Sequence, residues 1–121
     1  MRSTLISIHK AVLTHFKEKP DRGEQWTMPP ASYNGTQTIA DDCDGFCLAV
    51  RQLLRQRNIP SRLVYCEIKG VGHLVVEAKG WILDNRQKSV MANTLLTALG
   101  YEFKRISGFN PGDPWYEIVS Y

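Results

Sequence analysis

Apolar residues recur along this chain first at helical and then at strand spacing. Leu5, Ile8, Val12 and Phe16 fall on one helical face, with Ser3 or Thr4 placed to cap it and Pro20 to stop it, which predicts an amphipathic helix over residues 4 to 19. Residues 20 to 40 lose that period and are rich in Pro, Gly, Asn, Ser and Thr, with Trp26, Met28 and Tyr33 among them. They predict a long irregular segment, and a loop of that length in a small domain tends to serve function. Phe46, Cys47, Val50, Leu53 and Leu54 then form one apolar stripe while Arg51, Gln52, Arg55 and Gln56 form the polar side, predicting a helix over 42 to 58 that Pro60 ends.

Beyond Pro60 the period shortens to two. Residues 62 to 68 and 73 to 78 predict strands joined through Gly70-Val71-Gly72, and Trp81 to Asp84, after Gly80, predict a short buried strand. A helix over 89 to 99, closed by Gly100, and strands over 101 to 106 and 115 to 119 complete the reading. Helices first and an antiparallel sheet afterwards give an α+β fold.

Composition narrows what such a fold can do. The 121 residues suit one domain, and 43% hydrophobic residues suffice for a modest core. The net charge of +3 comes from Lys and Arg dispersed along the chain, so we expect no nucleic-acid or membrane surface. No apolar run approaches the roughly 20 residues that span a bilayer. His9 and Lys10 interrupt the early apolar residues before a secretion signal can form, which predicts a cytoplasmic protein. His9 and His15 are expected on the surface of the first helix, without a role.

Three cysteines, at 43, 47 and 66, cannot all pair within one chain and lack zinc-finger spacing, so reduced thiols are expected. Cys43 stands apart because Asp41-Asp42-Cys43-Asp44-Gly45-Phe46 puts it at a helix start, with His73 and Asp84 following in order. A thiol, an imidazole and a carboxylate are what acyl chemistry through a thioester needs: Cys43 to attack, His73 to move the proton, Asp84 to orient the ring. A helix N-terminus and a neighbouring imidazolium favour the thiolate, whereas Asp42 and Asp44 oppose it. Taken singly, His73 reads as a satisfied strand histidine, Asp84 with Asn85 as a turn former, and Cys47 and Cys66 as core.

These residues, in the order Asp42-Cys43-Asp44, Asn58-Ile59-Pro60-Ser61-Arg62-Leu63-Val64, Gly72-His73-Leu74-Val75-Val76 and Gly80-Trp81-Ile82-Leu83-Asp84-Asn85, resemble the bacterial transglutaminase-like cysteine proteinases. Trp26 and Pro29 resemble that family's upstream Trp-Pro segment, and Tyr101, Phe103 and Trp115 its C-terminal strands. The likeness covers roughly residues 25 to 119. Gly45 departs from it, standing where the family commonly has a second acidic residue. The resemblance implies a papain-like transglutaminase core, its nucleophile helix packed on an antiparallel sheet. It also implies a cysteine peptidase acting on a protein or peptide, with transglutaminase or deamidase chemistry open to the same triad.

For the oxyanion, the backbone N–H of Cys43 is one donor. Gln37, at a papain-like offset, and the Trp26 indole are the further candidates, each with a bland alternative as a solvated loop or packing residue. No cofactor is required. Asp41, Asp42 and Asp44 suggest calcium, as in some relatives, against the simpler reading of helix capping. Two other functions compete with hydrolysis: an idle fold serving as a protein-binding or regulatory module, and a redox sensor using Cys43 and Cys47, which sit too far apart on one helix for an unstrained bond.

Overall fold

The computed structural model describes residues 2–18, 29–110 and 112–118. The chain is mixed α and β. Helix α1 (Arg2–Thr14) leads into β1 (Phe16–Glu18), which pairs in parallel with β2 (Ile39–Asp41). Helix α2 (Cys43–Gln56) follows, then β3 (Arg62–Ile68), β4 (Val71–Ala78), β5 (Trp81–Leu83), β6 (Met91–Ala92), the short helix α3 (Asn93–Ala98), β7 (Tyr101–Ser107) and β8 (Trp115–Glu117). The last six strands form one antiparallel sheet in the order β6-β5-β4-β3-β7-β8.

Local chemistry sets the boundaries of α2. The Asp42 side chain accepts the Asp44 N–H at 3.0 Å, capping an otherwise orphaned donor. At the far end Asn58 takes φ 57°, its N–H bonds Arg55 O, and the Ile59 N–H bonds Leu54 O, both at 3.0 Å. That is a Schellman ending with Asn in the left-handed position and Ile59 buried against the helix. Pro60 therefore follows a stop that Asn58 has already made.

Both hairpins of the site turn on the dipeptide Lys-Gly. Ile68 pairs Val71 and Ala78 pairs Trp81, leaving Lys69-Gly70 and Lys79-Gly80 as two-residue loops with positive φ throughout. The first turn thus lies one step earlier than the Gly70-Val71-Gly72 link expected from sequence, and Val71 and Gly72 belong to β4. A Cβ on Gly72 would lie 2.6 Å from the Tyr65 hydroxyl, so glycine lets the Tyr65 ring lie against β4.

The sheet buries both faces. Leu63, Leu74, Val76, Ala78 and Leu83 meet Leu5, Ile8 and Val12 of α1 and Phe46, Val50 and Leu54 of α2 on one side. Val64, Cys66, Val75 and Ile82 meet Leu96 and Tyr101 on the other.

Two elements differ from the periodicity. The first helix ends at Thr14, and Phe16, in phase with Val12 by spacing, reaches Phe46 at 5.4 Å between ring centroids from a strand instead. The expected helix over 89 to 99 shrinks to six residues because Met91 and Ala92 pair with β5. Only Leu96 of α3 is buried, with Leu95 and Leu99 left in solvent. Among the described residues no helix is long and apolar enough to cross a membrane.

Candidate active site

Asp84, just beyond β5, is fully buried. Its Oδ1 accepts from His73 Nε2 at 2.6 Å and from the Arg86 N–H at 3.0 Å, and its Oδ2 accepts the Tyr101 hydroxyl at 2.6 Å. Burial alone would raise its pKa. The bond and charge of His73, the Arg86 amide and the Tyr101 hydroxyl outweigh that, and the carboxyl is held below its ordinary value. An ionised carboxylate only accepts, so neutral His73 carries its proton on Nε2 and leaves Nδ1 as a lone-pair acceptor. Nδ1 is buried and has no hydrogen-bond partner among the described residues.

Sequence reading missed two members of this cluster, Tyr101 and His9. His9, expected on the surface of α1, is 1% exposed, stands edge-on to Phe46 at 5.9 Å, and donates from Nε2 to the backbone oxygen of Asp84 at 2.8 Å. Helical phase held the signal, since His9 follows Ile8 and precedes Val12 on the packed side. Its polarity argued for solvent, and the carbonyl of Asp84 supplies the partner that burial requires. His15 is half-buried beyond the end of α1, where its carbonyl accepts the Ile39 N–H.

Cys43 opens α2 and is half-buried. Its thiol points toward Asp44 Oδ1 at 3.7 Å. Burial pushes its pKa up to about 11, the charges of Asp44 and Asp42 and the bond to Asp44 add to the rise, and the Leu74 backbone opposes it. At that value about one thiol in ten thousand is ionised at pH 7. The opposition expected from Asp42 and Asp44 is joined by burial, and the protonated thiol is favoured.

Cys43 and His73 line one pocket of about 850 Å³, together with Tyr65, Glu67, Arg105 and Trp115. They reach it from opposite sides of β4: Leu74 faces α2, while His73 pairs with Cys66 and shares the Tyr101 face. No hydrogen bond joins the sulfur to Nδ1. Folding thus joins His73 to Asp84 and brings Cys43 to the same cavity as the imidazole.

The remaining candidates stand elsewhere. Gln37 is exposed and turned into its own loop, accepting the Asn34 N–H at 3.1 Å and donating to Ser32 O at 3.3 Å. It is absent from the pocket lining. Trp26 lies outside the described residues. Asp42 caps α2, and no group of three or more His, Cys, Asp or Glu among the described residues is arranged to hold a metal ion. Cys47 and Cys66 are buried, donating to Leu74 O at 3.2 Å and His73 O at 3.3 Å, and all three cysteines are free thiols.

Comparison with family models, with curated proteins and with solved structures finds no match to this chain, so its function is argued from the geometry of this pocket.

Proposed function

We propose that the protein is a cysteine-dependent amide hydrolase acting through a thioester, with Cys43 as nucleophile, His73 as general base and acid, and Asp84 as the group that orients the imidazole. The observation that carries the reading is the buried, unpartnered Nδ1 of His73, set by the 2.6 Å bond to Asp84 on the wall of a pocket that Cys43 also lines. The ordered motifs shared with transglutaminase-like cysteine proteinases support the same reading, and with it a papain-like core and a protein or peptide substrate.

Because the thiol rests neutral, attack is coupled to proton transfer. As Sγ bonds the acyl carbon, its proton passes to Nδ1, and Asp84 balances the imidazolium that forms. Collapse of the tetrahedral adduct breaks the C–N bond, and the proton leaves on the amine. Water then attacks the thioester, His73 again taking and returning the proton, to release the acid and restore the thiol. An amine attacking instead would give transamidation, and a glutamine side-chain substrate would give deamidation. The Cys43 backbone N–H, at the first position of α2, has no intrahelical acceptor and is available to the oxyanion.

Acyl transfer from p-nitrophenyl acetate, followed by peptide mapping, tests this directly. We expect acetylation at Cys43, loss of that adduct in Cys43→Ala, and slowing by at least about a hundredfold in His73→Ala, the range of general-base contributions. Acetylation spread evenly over the three thiols, or indifferent to His73, sinks the proposal.

A second reading is a binding or regulatory module on the same fold. The Cys43 thiol engaged with Asp44 and not hydrogen-bonded to the imidazole favours it. Under that reading no Cys43 adduct forms, and Cys43→Ala leaves partner binding intact.

A further inference from the structure

Asp84 has two oxygens, and only one is used by His73. The other is held by Tyr101, which is 5% exposed, donates to Oδ2 at 2.6 Å, accepts from Gln87 Nε2 at 3.1 Å, and stands edge-on to the His73 ring at 6.4 Å between centroids. Each contact removes a freedom. The Gln87 donor occupies an acceptor site on the hydroxyl oxygen and so directs its proton at Asp84. The hydroxyl on Oδ2, with the Arg86 N–H on Oδ1, fixes the rotation of the carboxylate, which in turn aims Oδ1 at Nε2. The ring edge limits how far the imidazole can tilt. A carboxylate free to rotate, or protonated on Oδ2, would no longer insist that His73 carry its proton on Nε2.

We infer that Tyr101 is a positioning residue of the site: by clamping the second oxygen of Asp84 it fixes His73 in the Nε2–H tautomer, so that Nδ1 stands ready to take the Cys43 proton. The inference rests on the reading of Cys43, His73 and Asp84 as the reacting groups. Tyr101 touches no reacting atom: its hydroxyl acts through the carboxylate, and its ring edge bounds the imidazole. It also stays a donor throughout, since burial and then Asp84 push its hydroxyl up to about 12.

The experiment is Tyr101→Phe, which keeps the ring and removes one oxygen, read in two ways. ¹⁵N chemical shifts of the His73 ring report the tautomer without any substrate. Acetylation of Cys43 by p-nitrophenyl acetate reports proton transfer. We expect wild type to hold the Nε2–H form and the variant to show a mixture, with acetylation slowed about tenfold or more, the scale of a hydrogen bond to a charged group. A variant that folds with wild-type ring shifts and wild-type acetylation overturns the inference. If wild type shows the Nε2–H tautomer but never acetylates Cys43, the hydrolase reading fails while the clamp stands.

Should Tyr101→Phe not fold, replacement of tyrosine by 3-fluorotyrosine perturbs the bond without removing it. The more acidic hydroxyl should weaken the His73–Asp84 bond and move the Nε2 proton resonance upfield. An unmoved resonance overturns the clamp.

Discussion

The thiol of Cys43 is held protonated by its neighbours, and its reactivity should answer to them. Replacing Asp44 by Asn removes a nearby charge and leaves the thiol only a neutral, weaker acceptor. The Cys43 pKa should then fall from about 11, and iodoacetamide labelling at pH 8 should accelerate roughly tenfold for each unit of the fall. Labelling no faster than wild type would show that burial alone sets the value. His9→Leu should leave the Asp84 carbonyl buried without its donor and cost about 1–3 kcal/mol in urea unfolding. Sequence made Cys43, His73 and Asp84 legible as candidates because a thiol, an imidazole and a carboxylate follow in chain order, with Cys43 opening α2 and Asp84 just beyond β5. His9, Tyr101 and the fate of Gln37 were not legible. Burial of a polar side chain depends on a partner remote in sequence, and Asp84, 75 residues from His9, cannot be matched to it by periodicity.

At the scale of elements, the ends are where sequence and structure part. Phe16 kept its helical phase but lies in β1, because a strand and a helix can both deliver one side chain to the same core site. The expected helix over 89 to 99 kept six residues and lost its first turn to an edge pairing that no local pattern announces. The boundaries of α2 were readable because capping is local. Their energetics are testable: Asp42→Ala should cost about 1 kcal/mol as a lost N-cap, and Asn58→Gly should be neutral or stabilising, since glycine adopts positive φ without a Cβ penalty. Asn58→Val, forcing a branched side chain into that conformation, should cost on the order of 1–2 kcal/mol. Urea melts of the three variants check the ranking, which is tied to the Schellman ending of α2 and disappears if that ending does not form.

For the molecule as a whole, the titrating groups oppose one another at the two ends of the pH scale. Asp84 has a depressed folded pKa. The stability it contributes is complete above its unfolded value of about 3.9 and is lost as pH falls through the lower folded value. The thiols behave in the opposite sense. Cys43 is raised to about 11, Cys66 to about 12, and Cys47 is raised as well, so folding favours their protonated forms. Their contribution is complete below an unfolded thiol value of about 8.5 and is lost as pH rises through the folded values. Thermal melts should therefore decline above about pH 9, and more shallowly in a Cys66→Ala background. A transition temperature flat from pH 8 to 11 would contradict the burial of these thiols.

The placement of β4 between two separately packed layers has an evolutionary corollary. Adjacent residues of one strand send Leu74 toward the thiol-bearing helix and His73 toward Tyr101 and Asp84. Substitutions beneath α2 can thus shift the surroundings of Cys43 and those around β7 the surroundings of His73, while His9, packed on Phe46 and bonded to the Asp84 carbonyl, ties the two layers together. A thiol and an imidazole that share a cavity are then reached from different layers, with one buried histidine as the strut that couples an adjustment of one to the other.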